Sequence, residues 1–209
     1  MTTIARHELP NLCEPLAGGY YMGLLMIDGS LHALICAPKY EGETRMAGGE
    51  FGETIEGADH YADGLANTRA LAAADNTLGQ WAMDLRIGGY DDWAVPARDQ
   101  LELLYRNGKP TDEENLCSFR DGENPFSRPV NYPYTEESPQ QANNPLFKAD
   151  GEQAFAPEPY WSSTQYTAYG SWLQGFDDGF QSIYRKGGER RVRRRVRAVR
   201  TIPVIDSVL

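Results

Sequence analysis

The 209-residue chain is short of several things. It has three cysteines, Cys13, Cys36 and Cys117, with no C-x-x-C spacing among them, and three histidines. An odd, scattered set of thiols argues against a disulfide framework or a four-ligand zinc site, so the cysteines are expected to be reduced and buried. A chain of this length buries about 70% of its unfolded surface and needs no such staple. No run of about 18 apolar residues is present, so no membrane span and no membrane insertion are expected. The first eight residues lack the basic-then-apolar order of a signal peptide. Catalytic signatures are missing too: there is no G-x-S-x-G elbow, phosphate loop or H-E-x-x-H, and His7, His32 and His60 have no spaced partner. Neither an enzyme, nor a cofactor, nor a metal site is expected.

Basic residues are outnumbered, 20 against 30 acidic, for a net charge of -10 that discourages general nucleic-acid binding. The deficit is uneven. Nine basic residues and one acidic lie between Arg185 and Arg200, a local +8, which leaves the other 193 residues at -18.

Asp28-Gly29 separates two apolar runs, Tyr20 to Ile27 and Ser30 to Cys36. Both turn positions of an Asp-Gly hairpin favour positive φ, so the segment reads as strand, tight turn, strand, central in a sheet. Glu41 to Asp63 reads as a Gly-rich acidic loop with seven carboxylates and one arginine. It lacks the alternating spacing of a calcium loop. Asp63 is placed to cap a helix from Gly64 to Ala74, with Leu65, Thr68, Leu71 and Ala72 on one face, and a second helix follows Pro96 with Leu101, Leu104 and Tyr105 on one side. Eight of the thirteen prolines fall between Asn107 and Pro159, which reads as a loop-rich insertion with too little apolar sequence for a core of its own. The last third alternates: Ser171 to Asp177, a turn at Asp177-Asp178-Gly179, Phe180 to Arg185, a turn at Lys186 to Glu189, and a strand from Val192 to Val199. This predicts an antiparallel meander, with Trp172 and Phe176 on one face. The expected organisation is an N-terminal segment, 1–18, and one domain, 19–209, containing the insertion at 107–159 and a C-terminal cassette at 160–200.

Three phrases occur in order: Gly88-Gly89-Tyr90-Asp91-Asp92-Trp93-Ala94-Val95-Pro96 with Arg98 to Tyr105 behind it, Tyr160-Trp161-Ser162-Ser163-Thr164, and Val196-Arg197-Ala198-Val199-Arg200. Together they resemble the C-type-lectin-like domains of bacterial and phage proteins related in fold to formylglycine-generating enzyme. The phrases span Gly88 to Arg200, and the match extends loosely toward Gly19. The resemblance implies an α+β fold of the C-type lectin-like kind, two helices flanking small antiparallel sheets. Two positions depart from it: Ala94 stands where arginine is usual, and Ala97 where Thr or Ser would cap the helix, a loss of ~1 kcal/mol.

The stretch from Trp161 to Arg200 is similar to the variable region of diversity-generating retroelement target proteins. In that group fixed residues hold the fold between positions that a mutagenised cassette varies. The fixed set is present here as Trp161, Ser162, Ser163, Trp172, Phe176, Asp178, Gly179 and the closing Val-Arg-Ala-Val-Arg. The positions between them are Tyr166, Thr167, Tyr169, Gly170, Leu173, Asp177, Phe180, Ser182, Ile183, Tyr184 and Arg185, and the resemblance makes these the ligand-binding residues. Trp93, Trp161, Trp172 and Phe176 are expected as core. Inward rings supply burial, outward positions change at little cost, and rigid tyrosines give contact area at low entropic cost. An exposed patch of Tyr166, Tyr169, Leu173, Phe180 and Tyr184 follows.

The function implied is non-enzymatic binding of a protein or glycan on a cell surface, by a homo-oligomer encoded by a phage or prophage. A virion component or a cytoplasmic protein is the expected location. The alternative is a structural or assembly protein of the particle. A formylglycine-type oxidase needs a C-terminal cysteine pair that the chain lacks, and the Glu-Pro-Asn and Trp-Asn-Asp signatures of calcium-dependent sugar binding are absent. No aromatic residues interleave the arginine run to stack bases, so its arginines are expected to pair with the chain's own carboxylates.

Overall fold

Asp28 and Gly29 both adopt positive φ, 48° and 78°, and the hairpin forms as predicted between Gly19–Ile27 and Ser30–Cys36. The computed structural model describes residues 3–116, 124–130, 132–187 and 192–205. In chain order the strands are β1 (Ile4–Ala5), β2 (Pro15–Leu16), β3 (Gly19–Ile27), β4 (Ser30–Cys36), β5 (Glu43–Met46), β6 (Ser127–Arg128), β7 (Pro159–Thr167), β8 (Gly170–Gly175), β9 (Gln181–Arg185), β10 (Arg194–Arg197) and β11 (Val199–Ile205). The helices are a single turn, α1 (Lys39–Gly42), then α2 (Gly64–Ala73), α3 (Thr77–Asp84) and α4 (Arg98–Gly108).

The strands make two sheets. One runs β1-β11-β4-β3-β2, with β6 also on β3; the other runs β5-β10-β7-β8-β9. Each mixes antiparallel pairs with one parallel pair, β1 with β11 and β10 with β7. The fold is therefore α+β and sheet-rich. Its main core joins Met22, Leu25, Leu34 and Cys36 to Leu101, Leu104 and Tyr105 of α4, and to Phe147, Phe155, Tyr160 and Phe176.

Several expectations need correction. Helix α3 is a third helix beside the two predicted; Asn76 caps it, its Oδ1 accepting from Leu78 N at 2.9 Å. Within α2 the buried residues are Gly64, Asn67, Thr68 and Leu71, while Leu65 is only half-buried. The acidic loop is not all loop, because Glu43–Met46 forms the edge strand β5 against β10. The 107–159 segment is irregular, as expected, yet it feeds the shared core through Ala142, Phe147 and Phe155. It is part of the scaffold and not an addition to it.

The final strand is two strands. Ala198 separates β10 from β11, and the chain passes there from one sheet to the other. Ala198 N donates to Gly42 O at 2.8 Å, and Ala198 O accepts from Ala37 N at 2.9 Å. Nor does the meander continue into β10: that strand lies beside β7, on the side of the sheet far from β9. Helix α4 has no side-chain cap at Ala97, as the sequence requires. Tertiary partners serve instead, with Thr164 Oγ1 accepting from Arg98 N at 2.9 Å and Tyr61 O from Asp99 N at 2.9 Å.

The arginines of the last two strands have distinct fates. Arg195 pairs with Glu43 and Glu158, both at 2.6 Å, and Arg200 grips Asp92 in a fork at 2.7 and 2.9 Å. Burial pushes the Glu158 carboxyl up, but the hydrogen bond and charge of Arg195, with those of Arg45, outweigh it and hold the group below its ordinary range. Arg197 is fully buried and makes no ion pair among the described residues. Its guanidinium donates to Ala37 O, Gln153 O and Gln153 Oε1 at 2.6–2.9 Å, and lies over the Phe147 and Phe155 rings. The expected pairing with the chain's own carboxylates thus holds for Arg195 and Arg200 but not for Arg197. Cys13 and Cys36 are free and buried, and burial raises their thiols to about 12 and about 11. Cys117 lies outside the described residues.

Candidate ligand-binding face

Strand β7 is anchored by polar side chains. Ser163 N and Oγ both donate to Pro96 O, at 2.8 and 3.2 Å, and Ser162 Oγ donates to Trp172 O at 2.9 Å. Thr164 Oγ1 donates to His60 O at 2.8 Å, and Gln165 Nε2 to Ile55 O at 2.9 Å. Asn67, buried in α2, closes the group by donating to His60 O and Ser163 Oγ. Across the sheet, Gln181 Nε2 donates to Gln174 Oε1 at 2.9 Å, and Gln174 Nε2 to Gly179 O at 3.1 Å. Every one of these groups is paired inward, so the frame does not depend on what the outward side chains are.

Trp93, Trp161 and Phe176 are fully buried, as expected of core. Trp161 Nε1 donates to Met46 O at 3.0 Å, and a Cβ on Gly48 would come within 2.9 Å of its ring, which accounts for the small residue there. Gly179, at φ 81°, sits so close to Tyr105 that a Cβ would meet the ring at 2.5 Å.

Of the proposed binding residues, Tyr166 and Tyr169 are each 57% exposed, and Thr167, Asp177, Phe180, Ile183, Tyr184 and Arg185 are also exposed. Ser182 is half-buried. Asp177 turns away toward an open acidic depression that it shares with Asp112, Glu113 and Asp178. Two of the predicted positions are corrected. Leu173 is 5% exposed, because it lies between Trp161 and Ser182 in the register. Gly170 is buried, and a Cβ there would approach Ile183 Cγ2 to 2.7 Å, so packing fixes it. Trp172 is a third correction, since it is only partly buried and belongs to the surface cluster.

The exposed residues do not form one patch. Residues opposite each other in an antiparallel pair share a face of the sheet. Ser171 pairs with Tyr184 and Trp161 with Leu173, whereas Trp172 pairs with Ile183 on the other face. On the Trp172 side, the Tyr166 ring meets the indole edge-on at 5.7 Å, Tyr61 does so at 6.5 Å, and the Arg98 guanidinium lies 4.6 Å over it. The indole Nε1 of Trp172 is buried without a hydrogen-bond partner among the described residues. On the Trp161 side, Arg194 stacks 4.2 Å over Tyr184. At the strand ends, Phe51 packs on Tyr169 at 4.9 Å and carries Arg185 at 4.6 Å.

Phe51, Tyr61, Arg98 and Arg194 are contributors that the sequence did not single out. Phe51 and Tyr61 are the two aromatics inside the acidic segment, and that contrast with their surroundings was the available signal. Beneath them Lys186 is buried, donating to Glu53 O at 2.7 Å and to Gln165 Oε1. Burial lowers its amine from 10.5 to about 8.

Among the described residues no three of His, Cys, Asp and Glu are grouped so as to hold a metal ion, and no helix is long and apolar enough to cross a membrane. No protein-family model matches the chain, and no curated protein matches it either.

Proposed function

We propose that the chain is a non-enzymatic ligand-binding protein with a C-type-lectin-like scaffold, displaying its binding residues on β7, β8 and β9. The ligand is a protein or glycan on a cell surface, and the displayed positions are those a retroelement cassette would diversify. One observation carries this reading. Tyr166, Tyr169, Phe180, Ile183 and Tyr184 stand exposed within one short stretch, over a frame in which Ser162, Ser163, Thr164 and Gln165 make their hydrogen bonds without them. They stand on both faces and at the strand ends of one sheet, so a ligand would meet them around the end of the β7–β9 meander, and tyrosines give such contact at low entropic cost.

The test is binding of the labelled protein to a panel of bacterial cells by flow cytometry. Simultaneous alanine substitution of Tyr166, Tyr169, Phe180 and Tyr184 is expected to weaken binding by about a hundredfold, with the melting temperature unchanged. Binding that survives the four substitutions would remove these rings as the site. Diversification has its own test in the gene: a near-copy of the 3′ end beside a reverse transcriptase, differing at adenines, is expected.

A further inference from the structure

We propose that the outer edge of β9 is a strand-addition site for an extended acidic segment of a partner protein. The proposal rests on the reading of β7–β9 as a binding face, and it names the partner's chemistry and the mode of contact. Strand β9 ends its sheet, and among the described residues no strand pairs with its outer side. Phe180 O accepts from Gly175 N at 2.8 Å, and Lys186 N donates to Tyr169 O at 3.1 Å. Between those two points the register runs without a bulge. Antiparallel pairing alternates, so residues 180, 182, 184 and 186 turn their backbone groups to β8, while Ile183 and Arg185 turn theirs outward. Among the described residues, the Ile183 carbonyl is met only by the Ser182 hydroxyl of its own strand, at 3.4 Å.

Exposed sheet edges are normally blunted by proline, bulges or inward charge. This one has no proline and no bulge, and it presents Ile183 on one face and Tyr184 on the other. Charge selects the occupant. Arg185 lies over Phe51 and Arg194 over Tyr184, and neither makes an ion pair among the described residues, although the chain outside Arg185–Arg200 carries -18. Arg195 and Arg200, by contrast, are taken by Glu43, Glu158 and Asp92. An incoming strand gains a cross-strand ion pair by placing a carboxylate opposite Arg185, and an apolar contact by placing a branched side chain opposite Ile183.

The probe is a short blocked peptide with glutamate and valine two residues apart and threonine at the positions between and around them, so that glutamate meets Arg185 where valine meets Ile183; it is set against the same peptide with lysine for glutamate and followed by fluorescence anisotropy and residue-resolved amide exchange. The glutamate peptide is expected to bind, and to slow exchange at Ile183 and Arg185 by about tenfold or more, while Ser182 and Tyr184 are slow with or without it. Ile183→Pro removes one outward N–H and no bond to β8, which an edge strand tolerates, and it should abolish binding. Arg185→Gln with Arg194→Gln should weaken binding about tenfold at an unchanged melting temperature, and it reports independently if the proline variant does not fold. Equal binding of the lysine peptide, no binding of the glutamate peptide, or unchanged exchange at Ile183 and Arg185 would each overturn the proposal. So would dimerisation that Ile183→Pro abolishes, since the edge would then belong to a second copy. Cell binding that survives Ile183→Pro but is lost in the four-alanine variant would remove the edge and leave the face standing.

Discussion

Arg197 and Arg194 lie three residues apart in β10, and both stack on aromatic rings, yet they belong to different regimes. Arg197 is sealed between Phe147 and Phe155 and spends its donors on Ala37 and Gln153, tying the insertion to the end of β4. Arg194 is half-buried and rests on Tyr184, with its Nε unpartnered among the described residues. The same contrast divides the C-terminal segment as a whole. Its inner part, from Arg195 through β11, lies inside the two sheets and carries the fold; its outer part, β9 with Arg194 stacked on it, carries exposed rings on a frame that does not need them. Charge concentrated in one stretch of sequence is therefore consumed at one end of that stretch and left available at the other.

The largest test of this comparison is deletion. Ending the chain at Gly187 removes β10 from between β5 and β7, and β11 from between β1 and β4, so both sheets lose an interior strand. The truncated protein is expected to show no cooperative thermal transition by circular dichroism. A transition at the full-length temperature would mean that the two strands are not structural.

Arg197→Ala comes next. It leaves Ala37 O and both acceptors of Gln153 facing an empty space between two rings, at a cost of about 3–5 kcal/mol in denaturant unfolding. Arg197→Met refills the space without a charge and is expected to cost less than Arg197→Ala. Arg194→Ala removes a stacked, half-buried cation that makes no ion pair among the described residues, and should cost less than about 1 kcal/mol. Equal losses for Arg197→Ala and Arg194→Ala would erase the distinction between the inner and outer parts.

What could be read from the sequence was what local chemistry determines. Asp28-Gly29 can do little other than turn, Asp63 offers an oxygen to the first turn of α2 (Ala66 N donates to it at 2.9 Å), and the spacing of Leu101, Leu104 and Tyr105 marks the buried side of α4. What could not be read depends on register between distant segments. Trp172 and Phe176 were expected on one face because strict alternation was carried past the end of the strand. Strand β8 stops at Gly175, and the chain beyond it delivers Phe176 to the core independently of the pleat. The irregularities between Trp161 and Gln165, and between Gln165 and Thr167, likewise shift which residues of β7 face outward. The position of β10 beside β7 is a tertiary choice that no turn residue near Lys186 announces. Helix α3 is the exception, since Asn76 before Thr77 and Leu78 was a local signal.

The smallest effect sharpens the comparison from beneath the binding face. Lys186 lies where the inner frame meets the outer rings, and burial lowers its amine from 10.5 to about 8. A neutral amine has two N–H donors, enough for the two acceptors it meets, Glu53 O and Gln165 Oε1. In the unfolded chain the amine keeps its proton up to about 10.5, so between pH 8 and 10.5 the unfolded state binds more protons than the folded one and folding gains stability as the pH rises. Cys13 and Cys36 act in the opposite sense above pH 9.0, because their thiols are raised in the folded protein. The wild-type curve alone would mix the two effects. The difference in unfolding free energy between wild type and Lys186→Met isolates the lysine, and it should widen in favour of wild type by about 1 kcal/mol from pH 8 to pH 9. A difference that stays flat over that interval would mean that Lys186 keeps its proton in the fold, and that the frame under the tyrosines holds a buried cation as the core does at Arg197.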